Sequence, residues 1–423
     1  MTERRLMPLY LSLGIVAVLA LAGVPLLLPT GEPTQQSSTS PTSQPTTRRA
    51  RTGNPMGNPP GMVDKLVMVD TAEAFGRGTL KGVEMTTGAG GAPALVLDTK
   101  GETEDFPRRG TWTSEEVVTE FPFTELVPSW NLAAPADTGV YFDVRSRDAK
   151  SGEWSPWMYI GYWGQVRAAR KVDSFEHGTI NIDNLTLTRP ADAYQIRATF
   201  QSFRAVGTDT PVLRRVAVAY SGVVADAAAR ERLTWKPEVP ADWAVDLKIP
   251  FRAQGDSTKA LAGEVCSPTA VSMVMQHLGV DRPTVENALA IYDHDSGIFG
   301  NWSRAVARAG ELGLDGWVQR FRNWDQVKAT IAAGQPIICS IKAKKGDFQG
   351  PYIYESTAGH LIVLRGLTPE GHAIVNDPAR RVKGDGFMYH QPDMQRIWID
   401  RGGVGYVIRK PQSPATQPTA ATR

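Results

Sequence analysis

Cys266 lies in the stretch Ala262-Gly-Glu-Val-Cys-Ser-Pro-Thr-Ala-Val-Ser-Met-Val-Met-Gln-His-Leu278. A thiol becomes a strong nucleophile only once something ionises it. A small polar loop precedes the cysteine. Behind it, Val271, Val274, Met275 and Leu278 recur at intervals of three and four, the spacing of an amphipathic helix. Ser267 and Pro268 suit the start of that helix. The pattern predicts Cys266 at, or one residue before, a helix N-terminus. Unpaired N–H groups and the positive end of the helix dipole favour a thiolate there. The same position also suits a buried structural cysteine, and position alone leaves both readings open.

A thiol nucleophile needs a general base, a group that orients the base, and donors where the oxyanion develops. His360 opens an apolar strand after Thr357-Ala-Gly359, so its ring can face a cleft while its backbone stays rigid. Asp377, in Val375-Asn-Asp-Pro378, ends the following strand and would meet His360 if the two strands pair antiparallel. Asn376 would face the other way on a regular strand and is the weaker orienter. Gln254, ahead of the cysteine, offers a side-chain amide beside the Cys266 backbone N–H as an oxyanion donor. Each has an ordinary explanation when taken singly: a satisfied polar residue, a turn, a loop glutamine. Their joint order of Gln, Cys, His and Asp, with helix and strands between them, raises the catalytic reading.

The elements that must hold these residues fall in residues 236–410. The patterns predict a short strand at Asp246-Leu-Lys-Ile-Pro-Phe251 and helices over 284–290, 302–310 and 323–334. Strands follow over 336–342, 359–365, 372–376 and 405–408. Helices first and an antiparallel sheet afterwards make an α+β domain. Residues 63–235 differ. Short alternating strands such as Gly139-Val-Tyr-Phe-Asp-Val-Arg145 and Leu213-Arg-Arg-Val-Ala-Val-Ala-Tyr220, separated by turns, predict an all-β sandwich. Ala225 to Leu233 suits one short helix before the proline-marked linker Trp235-Lys-Pro-Glu-Val-Pro240. Trp112, Trp130, Trp154, Trp157, Tyr159, Tyr162 and Trp163 crowd the β region. They fill its core, or they form a face that stacks on sugars.

Arg4 and Arg5 precede an uncharged apolar run over residues 9–28, long enough to cross a bilayer. Residues 1–29 read as an export signal or a membrane anchor, the uncleaved anchor ahead of a cleaved signal for want of an A-x-A site, with the rest of the chain extracytoplasmic, secreted or anchored. Residues 30–62, rich in Ser, Thr, Pro and Gln, read as a disordered tether, and residues 411–423 as a disordered tail. With 46 basic and 44 acidic residues, the net charge of +2 does not point to nucleic acid. An exported chain with two cysteines, Cys266 and Cys339, invites a disulfide. Against that, Cys339 sits in the apolar strand Pro336-Ile-Ile-Cys-Ser-Ile341, and a bridge would consume the one cysteine placed for chemistry. No His/Cys/Asp/Glu cluster has zinc-site spacing, and neither a P-loop nor a dinucleotide fingerprint is present, so no metal or cofactor is expected.

Leu247-Lys-Ile-Pro-Phe-Arg-Ala-Gln254, Gly263-Glu-Val-Cys-Ser-Pro-Thr-Ala270, Gly359-His-Leu-Ile-Val-Leu-Arg-Gly366 and Val375-Asn-Asp-Pro-Ala379 together resemble the C39-like cysteine peptidase family, of papain-like fold. Gly300-Asn-Trp302, Gly334-Gln-Pro-Ile337 and Arg401-Gly-Gly-Val-Gly-Tyr-Val-Ile408 are similar to exported bacterial members. Trp154-Ser-Pro-Trp157 and Ala193-Tyr-Gln-Ile-Arg197 resemble the β domain preceding the peptidase in such proteins. The resemblance implies Cys266 as nucleophile, His360 as base, Asp377 as orienter and Gln254 as oxyanion donor, acting on a peptide or amide bond. One departure is Ser267, where many members carry glycine. The transporter-fused relatives trim double-glycine leaders, an activity not supported here without their transporter helices. The alternative is a catalytically silent papain-like protein that binds envelope polysaccharide or peptidoglycan through its β domain.

Overall fold

Two hydrogen-bonded sheets organise the described residues, a 12-stranded one and a six-stranded one. The computed structural model describes residues 59–412 apart from 89–90, 99–106, 167, 169–170 and 205–208. The expected anchor at 9–28, most of the tether and nearly all of the tail lie outside the described residues. Among the described residues no helix is long and apolar enough to cross a membrane.

The large sheet begins at Met62–Val69 and ends at Val212–Val223. Its strands Val117–Ala133 and Asn184–Ser202 are long enough to pair with different neighbours at different points along their length, shifting register at Thr186 and Ala191. Such bends let one strand serve two packed layers. Trp130 of Val117–Ala133 stacks on Phe142 of Thr138–Asp148 at 3.9 Å between ring centroids, although those strands share no ladder. The layers therefore meet face to face over an apolar core, as sandwich patterning predicts. One helical turn, Ala72–Gly76, was not expected. It is capped by Thr71 and pinned by the Trp112 indole, which donates to the Phe75 carbonyl at 3.0 Å.

The seven aromatics of this region divide clearly. Trp112, Trp130, Tyr159, Tyr162 and Trp163 are buried. Trp154 and Trp157 are half-buried and interleaved with guanidinium groups: Arg145 lies 4.6 and 4.7 Å from their centroids, and Arg197 lies 4.5 Å from Trp157. Cation–π stacking of this kind covers ring faces that a sugar would need.

The smaller sheet runs in the order Asp315–Arg320, Val404–Arg409, Ile337–Ala343, Thr357–Leu367, Ala373–Asn376, Phe387–Tyr389. Alternation sends Ile337, Cys339 and Ile341 into one core, with Met394, Ile397 and Trp398. Ile338, Val363, Val404, Tyr406 and Ile408 face the opposite core, with Val271, Val274 and Met275 of the Cys266–His277 helix and Ala305 and Val306 of Trp302–Glu311. Helices thus cover both faces. Asn323 caps the Trp324–Ala332 helix by accepting from the Gln326 N–H at 3.0 Å, as its position predicts.

Two expectations fail locally. Asp246–Phe251 is not a strand: only a single bridge joins Asp246 to Gly366, and Lys248 takes a φ of 51° that breaks extended pairing. Conversely, Asp315-Gly-Trp-Val-Gln-Arg320 is a fully buried strand whose polar residues hid it. Those polar groups are satisfied from the other sheet. Asp315 accepts from Arg215 at 3.1 Å, Arg320 pairs with buried Glu125, and Asn131 makes two hydrogen bonds with the Gly316 backbone at 2.9 and 3.1 Å.

The same junction reaches the Trp302–Glu311 helix, which shares a core with the helix that carries the cysteine. Asp183, at a turn of the β region, accepts from the Trp302 and Ser303 N–H groups at 2.7 and 3.1 Å, where the helix dipole favours an anion. A Cβ on Gly310 would stand 2.7 Å from the Asn131 Cα, so only glycine lets the two parts approach this closely. The β region is bolted to the α+β region rather than strung on a flexible linker.

Candidate active site

The helix carrying the nucleophile candidate starts at Cys266 itself, with no side-chain cap. The Cys266 N–H therefore has no intrahelical acceptor and is free to donate. The sulfur is half-buried and unbridged, as is the fully buried Cys339. Behind Cys266, Ser267 through Met275 are all buried, so the apolar helix fixes where the sulfur points.

His360 stands on Thr357–Leu367, opposite Ile341 in the ladder, and is buried. Its Nε2 lies 2.7 Å from Asp377 Oδ1, and the ring also hydrogen-bonds the Cys266 side chain. With Nε2 engaged by the carboxylate, Nδ1 is the nitrogen left for sulfur. Burial works against the charged ring. The hydrogen bonds and negative charge of Asp377 and Cys266 outweigh it, and the His360 pKa is pushed up to about 10. Burial likewise pushes the Cys266 thiol up. Its hydrogen bond to His360, the charge there, and the backbone N–H groups of Leu361 and Ser267 more than reverse this, and the net direction is down. Both shifts run in the direction of a thiolate beside an imidazolium.

Asp377 is fully buried directly after Ala373–Asn376. A buried carboxylate is stable only when its oxygens are satisfied. Oδ1 accepts from His360 and from the Ala379 N–H at 2.9 Å. Oδ2 accepts from the Tyr354 hydroxyl at 2.9 Å and the Tyr389 hydroxyl at 3.4 Å. Tyr354 also sets its ring edge-on to the imidazole, 5.5 Å between centroids and 86° between planes. Both tyrosines are held well above the usual phenol range by burial and then by the Asp377 charge, so they remain donors. These two residues were not anticipated from the sequence. The signal available was indirect: a carboxylate expected to be buried calls for donors.

Asn376 has a different task. Its side chain accepts from Arg365 at 2.9 Å and from the Gly386 N–H at 3.1 Å, and it donates to the Ile249 carbonyl at 2.9 Å. It anchors the segment leading to Gln254 and leaves the histidine to Asp377. Gln254 itself opens the short 3-10 turn Gln254–Asp256 and donates its backbone N–H to Pro378, next to Asp377, at 2.9 Å. Its side-chain Oε1 is buried without a hydrogen-bond partner. Ser267, the departure from glycine, has its side chain buried beneath the helix start, its Oγ without a hydrogen-bond partner, while its N–H addresses the Cys266 sulfur.

The site forms where the two cores meet. Cys266 packs on the core beneath its own helix, whereas Tyr389 and Tyr354 belong to the core on the opposite face of the sheet. His360 and Asp377 span the seam. Among the described residues no group of three or more His, Cys, Asp or Glu side chains is gathered to hold a metal. Asp293 and Asp295 are engaged by Asn301, Tyr159 and Lys171, as in an ordinary polar loop.

An α+β sheet with a helix-borne cysteine beside a histidine, preceded by a β region, has a counterpart among known families. Residues 246–406 match the Peptidase_C39 like family, and residues 65–221 match the Peptidase C39 N-terminal domain. Residues 246–406 thus form a C39-like peptidase-family domain, preceded by a C39 N-terminal domain. No curated protein matches it. Among solved structures, the chain is similar to a double glycine motif protease from an AMS/PCAT transporter in complex with the leader peptide. The identity is 18%, the match covers 41% of this chain and 100% of that one, and the TM-score is 0.29. The C-terminal CBM6 of LamC, a laminarinase from Zobellia galactanivorans, is 10% identical over 36% of this chain and 98% of that one, with a TM-score of 0.20. CsCBM6-3 from Clostridium stercorarium, in complex with cellobiose, is 15% identical over 38% and 94%, with a TM-score of 0.18.

Proposed function

We propose that this chain is a cysteine peptidase that cleaves a peptide or amide bond through Cys266, His360 and Asp377. The observation that carries the reading is the placement of one imidazole between the half-buried sulfur and a four-donor buried carboxylate. The Cys266 thiolate attacks the scissile carbonyl carbon, and the oxygen gains charge facing the Cys266 N–H and the Gln254 side-chain amide. The C–N bond breaks as the His360 imidazolium gives its proton to the leaving amine. Water, losing a proton to the now neutral His360, then hydrolyses the thioester and frees the acid. Asp377 keeps the ring aligned throughout and stabilises its charged form.

The uncharged run over residues 9–28 and the polar stretch after it support an exported enzyme held at a membrane. The chemical proposal is tested by peptide turnover. Casein-derived or fluorogenic peptides should be cleaved by the full chain, and Cys266→Ala should lower turnover by about 10⁴-fold or more. Turnover that survives Cys266→Ala excludes this site.

A further inference from the structure

The loop that joins the orienting carboxylate to the oxyanion turn is unusually cationic. Directly after Asp377-Pro378-Ala379 come Arg380-Arg381-Val382-Lys383, and all four are exposed, Val382 at 93%. The loop is held at both ends to the proposed machinery. The Asp377 N–H donates to the Gly384 carbonyl at 2.8 Å, and the Pro378 carbonyl accepts from the Gln254 N–H at 2.9 Å. Gly384 is packed so tightly that a Cβ there would lie 2.1 Å from the Asp377 carbonyl oxygen and 2.9 Å from the Phe251 ring. The loop therefore cannot swing away without disturbing Asp377 or Gln254.

Arg381 is ion-paired with Asp256, in the Gln254–Asp256 turn. Arg380 and Lys383 have no carboxylate partner among the described residues, and the nearby Asp385 is taken by Arg365 at 2.8 Å. Lys259, exposed and likewise without an ion pair among the described residues, follows the same turn. In a chain whose charges nearly cancel, at +2 overall, this sets Arg380, Lys383 and Lys259 on segments tied to Asp377 and Gln254. An exposed valine between cations adds apolar contact for a side chain that comes to rest there.

We infer that the Arg380–Lys383 loop is a specificity-determining rim that selects peptide substrates bearing aspartate or glutamate close to the scissile bond. The inference rests on the peptidase reading above and extends it to a substrate class. Exposed charge pairs contribute modestly, so two unpaired cations should give a preference of about tenfold at low salt, fading as ionic strength rises.

Two arms test it on the full chain. Matched fluorogenic peptides differing only in Asp/Glu, Ser or Lys beside the cleaved bond should show about tenfold higher kcat/KM for the acidic member. R380E/K383E should reverse that order while leaving the iodoacetamide alkylation rate of Cys266 unchanged. The second arm needs no turnover: the ratio of iodoacetate to iodoacetamide alkylation at Cys266 should fall several-fold in R380E/K383E. Peptides cleaved without charge preference, or an order that survives the reversal, overturns the rim. So does an unchanged iodoacetate ratio, even for a chain that cleaves no peptide. Inhibition by a polyanionic polysaccharide, with acidic and neutral peptides cleaved equally, would also overturn it in favour of polymer binding.

Discussion

The two cysteines of this chain are set in opposite surroundings. Cys266 begins a helix, where N–H groups are unpaired and an imidazole stands beside the sulfur. Cys339 lies mid-strand in Ile337–Ala343, fully buried, with a long 3.7 Å contact from its thiol to the Ile337 carbonyl and a backbone hydrogen bond from Leu364. Burial acts on both and disfavours both thiolates. For Cys339 almost nothing opposes it, and the pKa is driven well above the usual thiol range. For Cys266 the histidine and the backbone donors reverse the direction. The opposite directions come from the neighbours, since burial acting alone would push both thiols up.

That contrast can be broken most severely at the base. His360→Ala removes the cation and leaves the burial, so Cys266 should come to resemble Cys339. Its alkylation near pH 7 should fall about 100-fold, and the pH at which labelling rises should move upward. Quantifying labelled peptides by mass spectrometry would read this directly. Asp377→Asn should act through the ring rather than the sulfur. The imidazolium loses its buried counter-ion, and turnover should fall by about 10²-fold or more while the fold persists. Because His360 is protonated in the folded chain up to about pH 10, above its ordinary value, its ion pair stabilises the fold fully below about pH 6.5. That contribution is lost as the pH rises through about 10, and thermal melts of the Asp377→Asn variant should show a weaker loss over this range.

Smaller effects sharpen the same picture. Tyr354→Phe deletes one of four donors to Asp377 and should slow turnover by about tenfold, with KM little changed. A rise in KM alone would assign Tyr354 to substrate contact instead. Cys339→Ala should leave Cys266 labelling untouched and cost about 1 kcal/mol of stability in a denaturant titration, as the small buried cavity predicts.

What could be read from the sequence follows the range of the interactions involved. The Cys266 helix start was legible because helical spacing, Ser267 and Pro268 are all local signals. The Asn323 cap was legible for the same reason. The meeting of His360 with Asp377 needed one further assumption, that successive strands pair antiparallel, and the ladder from Val363–Asn376 to Leu367–Ala373 supplies it. Tyr354 and Tyr389 were not legible, since a loop tyrosine and a three-residue strand carry no mark of the carboxylate they serve. Asp315–Arg320 escaped because its polar side chains are matched by Arg215 and Glu125 from the other sheet. The tight junction of the two sheets was equally hidden, and a proline-marked linker suggested independence where Asn131 and Gly310 are in contact.

The most direct measurement is the pH profile of iodoacetamide alkylation at Cys266 and Cys339 in the same folded sample. A thiolate–imidazolium pair predicts rapid labelling of Cys266 that holds through neutral pH and falls only on an acid limb below the ordinary thiol range. Cys339 should stay unreactive until the chain unfolds. Equal rates at the two cysteines, or a Cys266 rate that rises only above about pH 8.5, would contradict the account.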